Sequence, residues 1–223
     1  MVMSPAPDGL RFVQDLVNTA LAHDPAHDRL ADPRAAREWL RGALDDWAAA
    51  TGSTPPLITL RPEDLAAVRK FRERLRARLR AEAANVEQPR RAEAANVERP
   101  GRAEAGNLER PGRAEAANLE QPGPAEPAGD DVTGDLKLVA GRDGRMRYLP
   151  ASGDARAIAE LVAAETLLAQ ARGTWHHLKT CANPACGVCF YDSSPNRSRV
   201  WHDTKTCGNA SNLRASRARR KTG

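Results

Sequence analysis

The stretch CANPACGVCFYDSSPNRSRVWHDTKTC, residues 181–207, decides how the C-terminal end of this chain is built. It holds all four cysteines of the protein, at 181, 186, 189 and 207, together with a histidine at 202. Four residues separate Cys181 from Cys186 and four separate His202 from Cys207, and fifteen residues lie between the two pairs. Zinc takes four tetrahedral sulfur or nitrogen donors, at about 2.3 Å and 2.0 Å, and two short knuckles folded together supply that arrangement. Cys181, Cys186, His202 and Cys207 are therefore the expected ligands of one structural Zn2+. Three thiolates and a neutral imidazole leave the site with a charge of about −1, which Arg197 or Arg199 nearby could offset.

Cys189 keeps an alternative open, because Cys186 and Cys189 form a C-x2-C knuckle that would allow a four-cysteine site without His202. That choice crowds three ligands into residues 181–189, which favours His202 and leaves Cys189 as a buried strand residue or a free thiol. A site with four protein ligands has no open position for water, so it cannot generate a hydroxide nucleophile. Zinc deaminases pair their cysteines with an H-x-E motif, and no histidine here is followed two positions later by glutamate. The expectation is a protein without enzymatic activity, and the N-terminal part carries no paired catalytic groups.

Charge follows the same division. Residues 181–223 carry eight Lys or Arg (Arg197, Arg199, Lys205, Arg214, Arg217, Arg219, Arg220 and Lys221) against Asp192 and Asp203, a net of +6 in a chain of net +5. The basic balance thus belongs to one end of the molecule and points to a polyanion partner. On a helix after Cys207, Arg214, Arg217 and Lys221 form one stripe with Arg219 and Arg220 beside it, a pattern suited to phosphate contact. His23, His27, His176 and His177 lack ligand spacing and read as surface or capping residues.

Upstream the chain reads as helical. Phe12, Val13, Leu16, Val17, Ala20 and Leu21 recur at helical spacing. Asp32 and Pro33 open a second helix with the stripe Ala36, Trp39, Leu40, Ala43, Leu44 and Trp47, closed at Thr51 and Gly52. A third starts near Pro62 and buries Leu65, Val68, Leu75 and Leu79, with Arg69, Arg72, Arg76 and Arg80 expected to face outward. From Arg80 to Gly123 an 11-residue unit of the type RAEAANVEQPR repeats, with a proline in each copy. Proline removes a helical donor, and one large apolar residue per unit cannot offset chain entropy, so 80–129 is expected to be a disordered insert. Leu136, Leu138, the Asp143-Gly144 turn, Met146 and Tyr148 predict a β-hairpin. Asp154 then caps a helix through Ile158, Leu161, Val162, Leu168 and Ala169 that stops at Gly173.

Three further motifs, CANPACG at 181–187, the D-x-S-x-N-R-S-R-x-W run of 192–201 and CGN at 207–209, resemble the bacterial CGNR zinc-finger proteins with an N-terminal ABATE domain, described as stress-induced transcription regulators. Weaker similarity covers FVQDLVNTAL at 12–21, the Trp39-Leu40 helix and the helix before the finger. The resemblance implies an α+β fold: a mostly helical N-terminal domain with a β-hairpin, then a small treble-clef-like zinc finger that binds DNA. It places zinc on Cys181, Cys186, His202 and Cys207, with histidine at 202 where the family usually has cysteine, and alanine at 210 where it has arginine.

These readings divide the chain into an ABATE-like domain of 1–79 plus 130–179, the insert 80–129, and a zinc finger of 180–223 with a basic C-terminal helix. The expected function is a zinc-dependent, DNA-binding transcriptional regulator whose N-terminal domain senses an effector or forms a homodimer. The rival is a zinc-stapled module that binds protein or RNA. No apolar run approaches the 18 residues of a membrane span and no signal peptide is apparent, so a soluble, cytoplasmic location is expected.

Overall fold

The computed structural model describes residues 4–21, 28–97, 134–211, 213 and 220, with backbone alone for 84–97. The fold is α+β. Helix α1 (Leu10–Val17) buries Leu10, Phe12, Val13, Leu16 and Val17. Helix α2 (Pro33–Thr51) starts where Asp32 Oδ1 accepts from the Arg34 and Ala35 amides and ends at Gly52, whose φ of 66° is the left-handed conformation glycine tolerates best. Helix α3 (Leu65–Val97) follows a 3-10 turn at Pro62–Asp64, and α4 (Arg156–Ala171) begins where Asp154 accepts from the Arg156 amide. Strands β1 (Leu136–Ala140) and β2 (Met146–Pro150) form the expected antiparallel hairpin, with Leu138 opposite Tyr148.

The four helices close around one core in which Phe12 stacks on Trp39 and Trp47 meets Tyr148 edge-on. Glu165 is buried among them at 2 % exposure, accepting from Trp47 Nε1 at 2.5 Å and from the Tyr148 hydroxyl. Burial pushes its carboxyl above the usual carboxylate range, although both hydrogen bonds pull the other way. A Cβ at Gly9 would overlap that carboxyl, so a larger residue where α1 begins would have to displace Glu165.

Two expectations need correction. Arg72 and Arg76 do not face outward; both are buried. Arg72 makes a two-pronged pair with Asp28 at 2.6 and 3.0 Å and also donates to Thr19 Oγ1, while Arg76 donates to the Val17 and Ala20 carbonyls at 2.5 and 2.6 Å. A cation there satisfies the carbonyls that the end of α1 leaves without helical partners. The helix also does not stop at Arg80. It runs through Pro89 to Val97, about five turns further, through Ala, Glu and Arg, which rank among the better helix formers. Trp175 Nε1 donates to Glu82 Oε2 at 2.6 Å, just past Arg80. The remainder of the expected insert, 98–129, lies outside the described residues. Residues 1–85 and 132–223 form one compact unit and 86–131 another, of which the continuation of α3 is described.

Candidate metal centre

The first knuckle is built by a small antiparallel hairpin. Strand β3 (Leu178–Thr180) runs into Cys181, and β4 (Cys189–Tyr191) leads away from Cys186, with Thr180 opposite Cys189. The ladder continues at the turn, where the Cys181 amide donates to the Val188 carbonyl at 2.8 Å. Gly187, with φ of 66°, lets the backbone reverse directly after Cys186. Asn183 braces the loop: its carbonyl accepts from the Cys186 amide at 2.9 Å, and its side-chain amide donates to Cys207 Sγ at 3.3 Å. Strand β4 thus pairs with the residues before Cys181, and the 198–200 end of the following loop meets the finger through the Ala182 amide donating to the Val200 carbonyl at 2.8 Å.

The second knuckle turns on Asp203. Its carboxylate accepts from the Thr206 amide, and its carbonyl accepts from the amides of Cys207 and Gly208, closing a wide π-helical turn at Thr204–Gly208. The turn brings Cys207 back beside His202. A Cβ on Gly208 would lie 3.3 Å from the Trp201 ring and 3.2 Å from Thr204, so the glycine of the CGN motif makes room for the tryptophan that packs on the cluster.

Cys181, Cys186, His202 and Cys207 converge, each offering a ligand atom, with all four atoms within 4.8 Å of one another. Zinc at the centre of such a set implies edges of about 3.8 Å between sulfurs and about 3.5 Å between sulfur and nitrogen. Cys186 Sγ and His202 Nδ1 stand 3.3 Å apart, which makes Nδ1 the nitrogen facing the sulfurs. The interaction between the Cys181 and Cys186 sulfurs lowers the Cys181 thiol and raises the Cys186 thiol. A divalent cation between them would favour the thiolate form of both. The three cysteines of the cluster are 3–7 % exposed and His202 is half-buried. The residues fit a metal held by zinc-type ligands.

Around the knuckles the D-x-S-x-N-R-S-R-x-W run is organised by Asp192, which is fully buried. Its Oδ1 accepts from the Ser194 amide at 3.0 Å and hydroxyl at 2.6 Å; its Oδ2 accepts from Lys179 Nζ at 2.8 Å and the Arg199 amide at 3.0 Å. Burial pushes this carboxyl up, but the Lys179 and Ser194 bonds outweigh it and hold it at about 2. The Arg199 guanidinium is turned inward, over the Phe190 ring at 5.3 Å and onto the His202 carbonyl at 2.6 Å. Arg197, at a left-handed φ of 49°, is exposed and meets His176 Nε2.

Of the expected polyanion contacts, Arg197, Lys205 and Arg220 are exposed and Arg199 is half-buried. Arg214, Arg217, Arg219 and Lys221 lie outside the described residues, as do His23 and His27. Cys189 is not part of the metal cluster. It is 0 % exposed in the main core, where burial pushes its thiol up. Sequence reading missed Asp192, Lys179 and Asn183; the short D-x-S spacing was the one available sign of a carboxylate bonding its own loop. Residues 177–220 match the family model of the CGNR zinc finger. No curated protein matches the chain.

Proposed function

We propose that this protein holds one zinc ion on Cys181, Cys186, His202 and Cys207 and uses the surface that ion organises to bind DNA as a transcriptional regulator, without catalysis of its own. The observation that carries the reading is the concentration of a net +6 within residues 181–223, on a segment whose Cys3His cluster fixes its backbone. Arg197 and Lys205 stand exposed on the two loops that flank the cluster, free of carboxylate partners among the described ion pairs. Residues 209–211 continue as helix from the metal knuckle, so the basic run that follows starts from a fixed point. In this reading the N-terminal body, for which the resemblance implies an ABATE domain, senses an effector or dimerises.

DNA binding measured across salt concentrations tests the proposal. Engagement of Arg197, Lys205 and Arg220 alone gives a log–log salt slope of roughly −3, steeper if the remaining cations join. Ala210→Arg adds one contact to that surface and should steepen the slope by about one unit. Absence of DNA binding at low salt would overturn the proposal in favour of the interaction module. No described helix is long and apolar enough to cross a membrane.

A further inference from the structure

The edge of β4 that β3 leaves free is occupied by a side chain from the far end of the sequence. Asn18, just past α1, donates from Nδ2 to the Cys189 carbonyl at 2.8 Å and accepts at Oδ1 from the Cys189 amide at 2.8 Å. Gln14, one turn earlier, also donates to that carbonyl at 3.4 Å. A carboxamide offering one donor and one acceptor in this way reproduces what a neighbouring strand would give β4. The residue so held is opposite Thr180, the last residue before Cys181, and lies three positions after Cys186. Leu21, three residues further on, packs against the cluster of Cys181, Cys186, Val188 and Cys207.

We propose that Asn18 is a positioning residue of the metal centre: clamped by its carboxamide, the hairpin holds Cys181 and Cys186 at their ligand spacing before metal arrives, so the N-terminal body sets the zinc affinity of the finger. The inference rests on the zinc reading above and adds a control over it. Short metal knuckles on their own meet the cost of folding out of metal binding, so a preorganised hairpin returns that share as affinity.

The test is zinc affinity of the full chain by chelator competition, paired with thermal unfolding of the metal-free form. Asn18→Leu, which keeps bulk and loses both bonds, should weaken zinc about tenfold or more, the usual effect of removing a residue that orients a metal ligand. Asn18→Asp keeps the acceptor for the Cys189 amide and loses the donor; it should fall between the two and serves if the leucine variant does not fold. Trp47→Phe breaks a bond to Glu165 in the body, so it should lower the thermal midpoint while leaving zinc affinity within about twofold. Wild-type affinity in both Asn18 variants, or an equal loss in Trp47→Phe, would overturn the proposal. A wild-type chain that binds no zinc would instead remove the zinc reading itself.

Discussion

Replacing Asp192 by alanine should be among the most damaging single changes in the finger. The carboxylate is 0 % exposed and accepts four hydrogen bonds. Ser194 is half-buried and can turn to water, and Lys179 keeps the Arg197 and Arg199 carbonyls at 2.5 and 3.2 Å. What remains is an ammonium group, 16 % exposed, without its counter-charge, and a half-buried Arg199 amide without its acceptor. Each such donor costs about 1–3 kcal/mol, and breaking a buried ion pair about 3–5 kcal/mol, so about 4 kcal/mol is expected for Asp192→Ala. For a chain of this size each kcal/mol moves Tm by about 2–4 °C, which puts the loss near 10 °C. Asp192→Asn keeps the shape and one acceptor oxygen and should lose less than half of that. The carboxyl is depressed to about 2, so its contribution is complete above the ordinary carboxylate value of 3.8 and disappears as pH falls through about 2. Melts of the zinc-loaded variants at neutral pH decide the matter. A drop below about 3 °C for Asp192→Ala would refute the assignment of Asp192 as the organiser of the loop.

Glu165→Gln should flatten the pH dependence of the body. A carboxyl whose folded value is raised contributes stability that is full below its ordinary range and is lost as pH rises through the raised value. The glutamine variant should therefore match or exceed wild type in melts at neutral and alkaline pH; greater stability of wild type there would count against a buried charge at this position. Deleting 86–129 should leave Tm nearly unchanged, since it spares Glu82 and the described buried side chains of α3, Leu65 to Leu79. Deleting 80–129 also removes Glu82, leaves Trp175 Nε1 without its partner, and should lower Tm further. Equal melting of the two deletions would show that the Glu82 bond contributes nothing.

Helix positions and caps were legible because each is written locally: Asp32-Pro33 and Gly52 bracket α2, and the Asp143-Gly144 turn joins β1 to β2. Spacing favoured the four residues that converge, Cys181, Cys186, His202 and Cys207, but left Cys189 open as a rival to His202, because short knuckles of either kind suit tetrahedral coordination. What failed to show was pairing across long separations. The arginines at 72 and 76 look like a solvated face until α1 and Asp28 bring acceptors to them, from 44 residues away in the case of Arg72 and Asp28. Asn18 carries no local sign of its bond to Cys189, 171 residues away. The end of α3 was misplaced because a proline weakens a helix without being obliged to end it, and the bond from Trp175 to Glu82 lies outside any local pattern.

Metal content of the purified chain, measured beside His202→Ala and Cys189→Ala, decides whether Cys181, Cys186, His202 and Cys207 hold one zinc ion that folds the finger. One zinc per chain is expected in wild type and in Cys189→Ala, with a marked loss of zinc in His202→Ala, because Cys189 lies in the main core and His202 faces the sulfurs. Zinc retained without His202 but lost without Cys189, or none in the wild-type chain, would contradict that expectation.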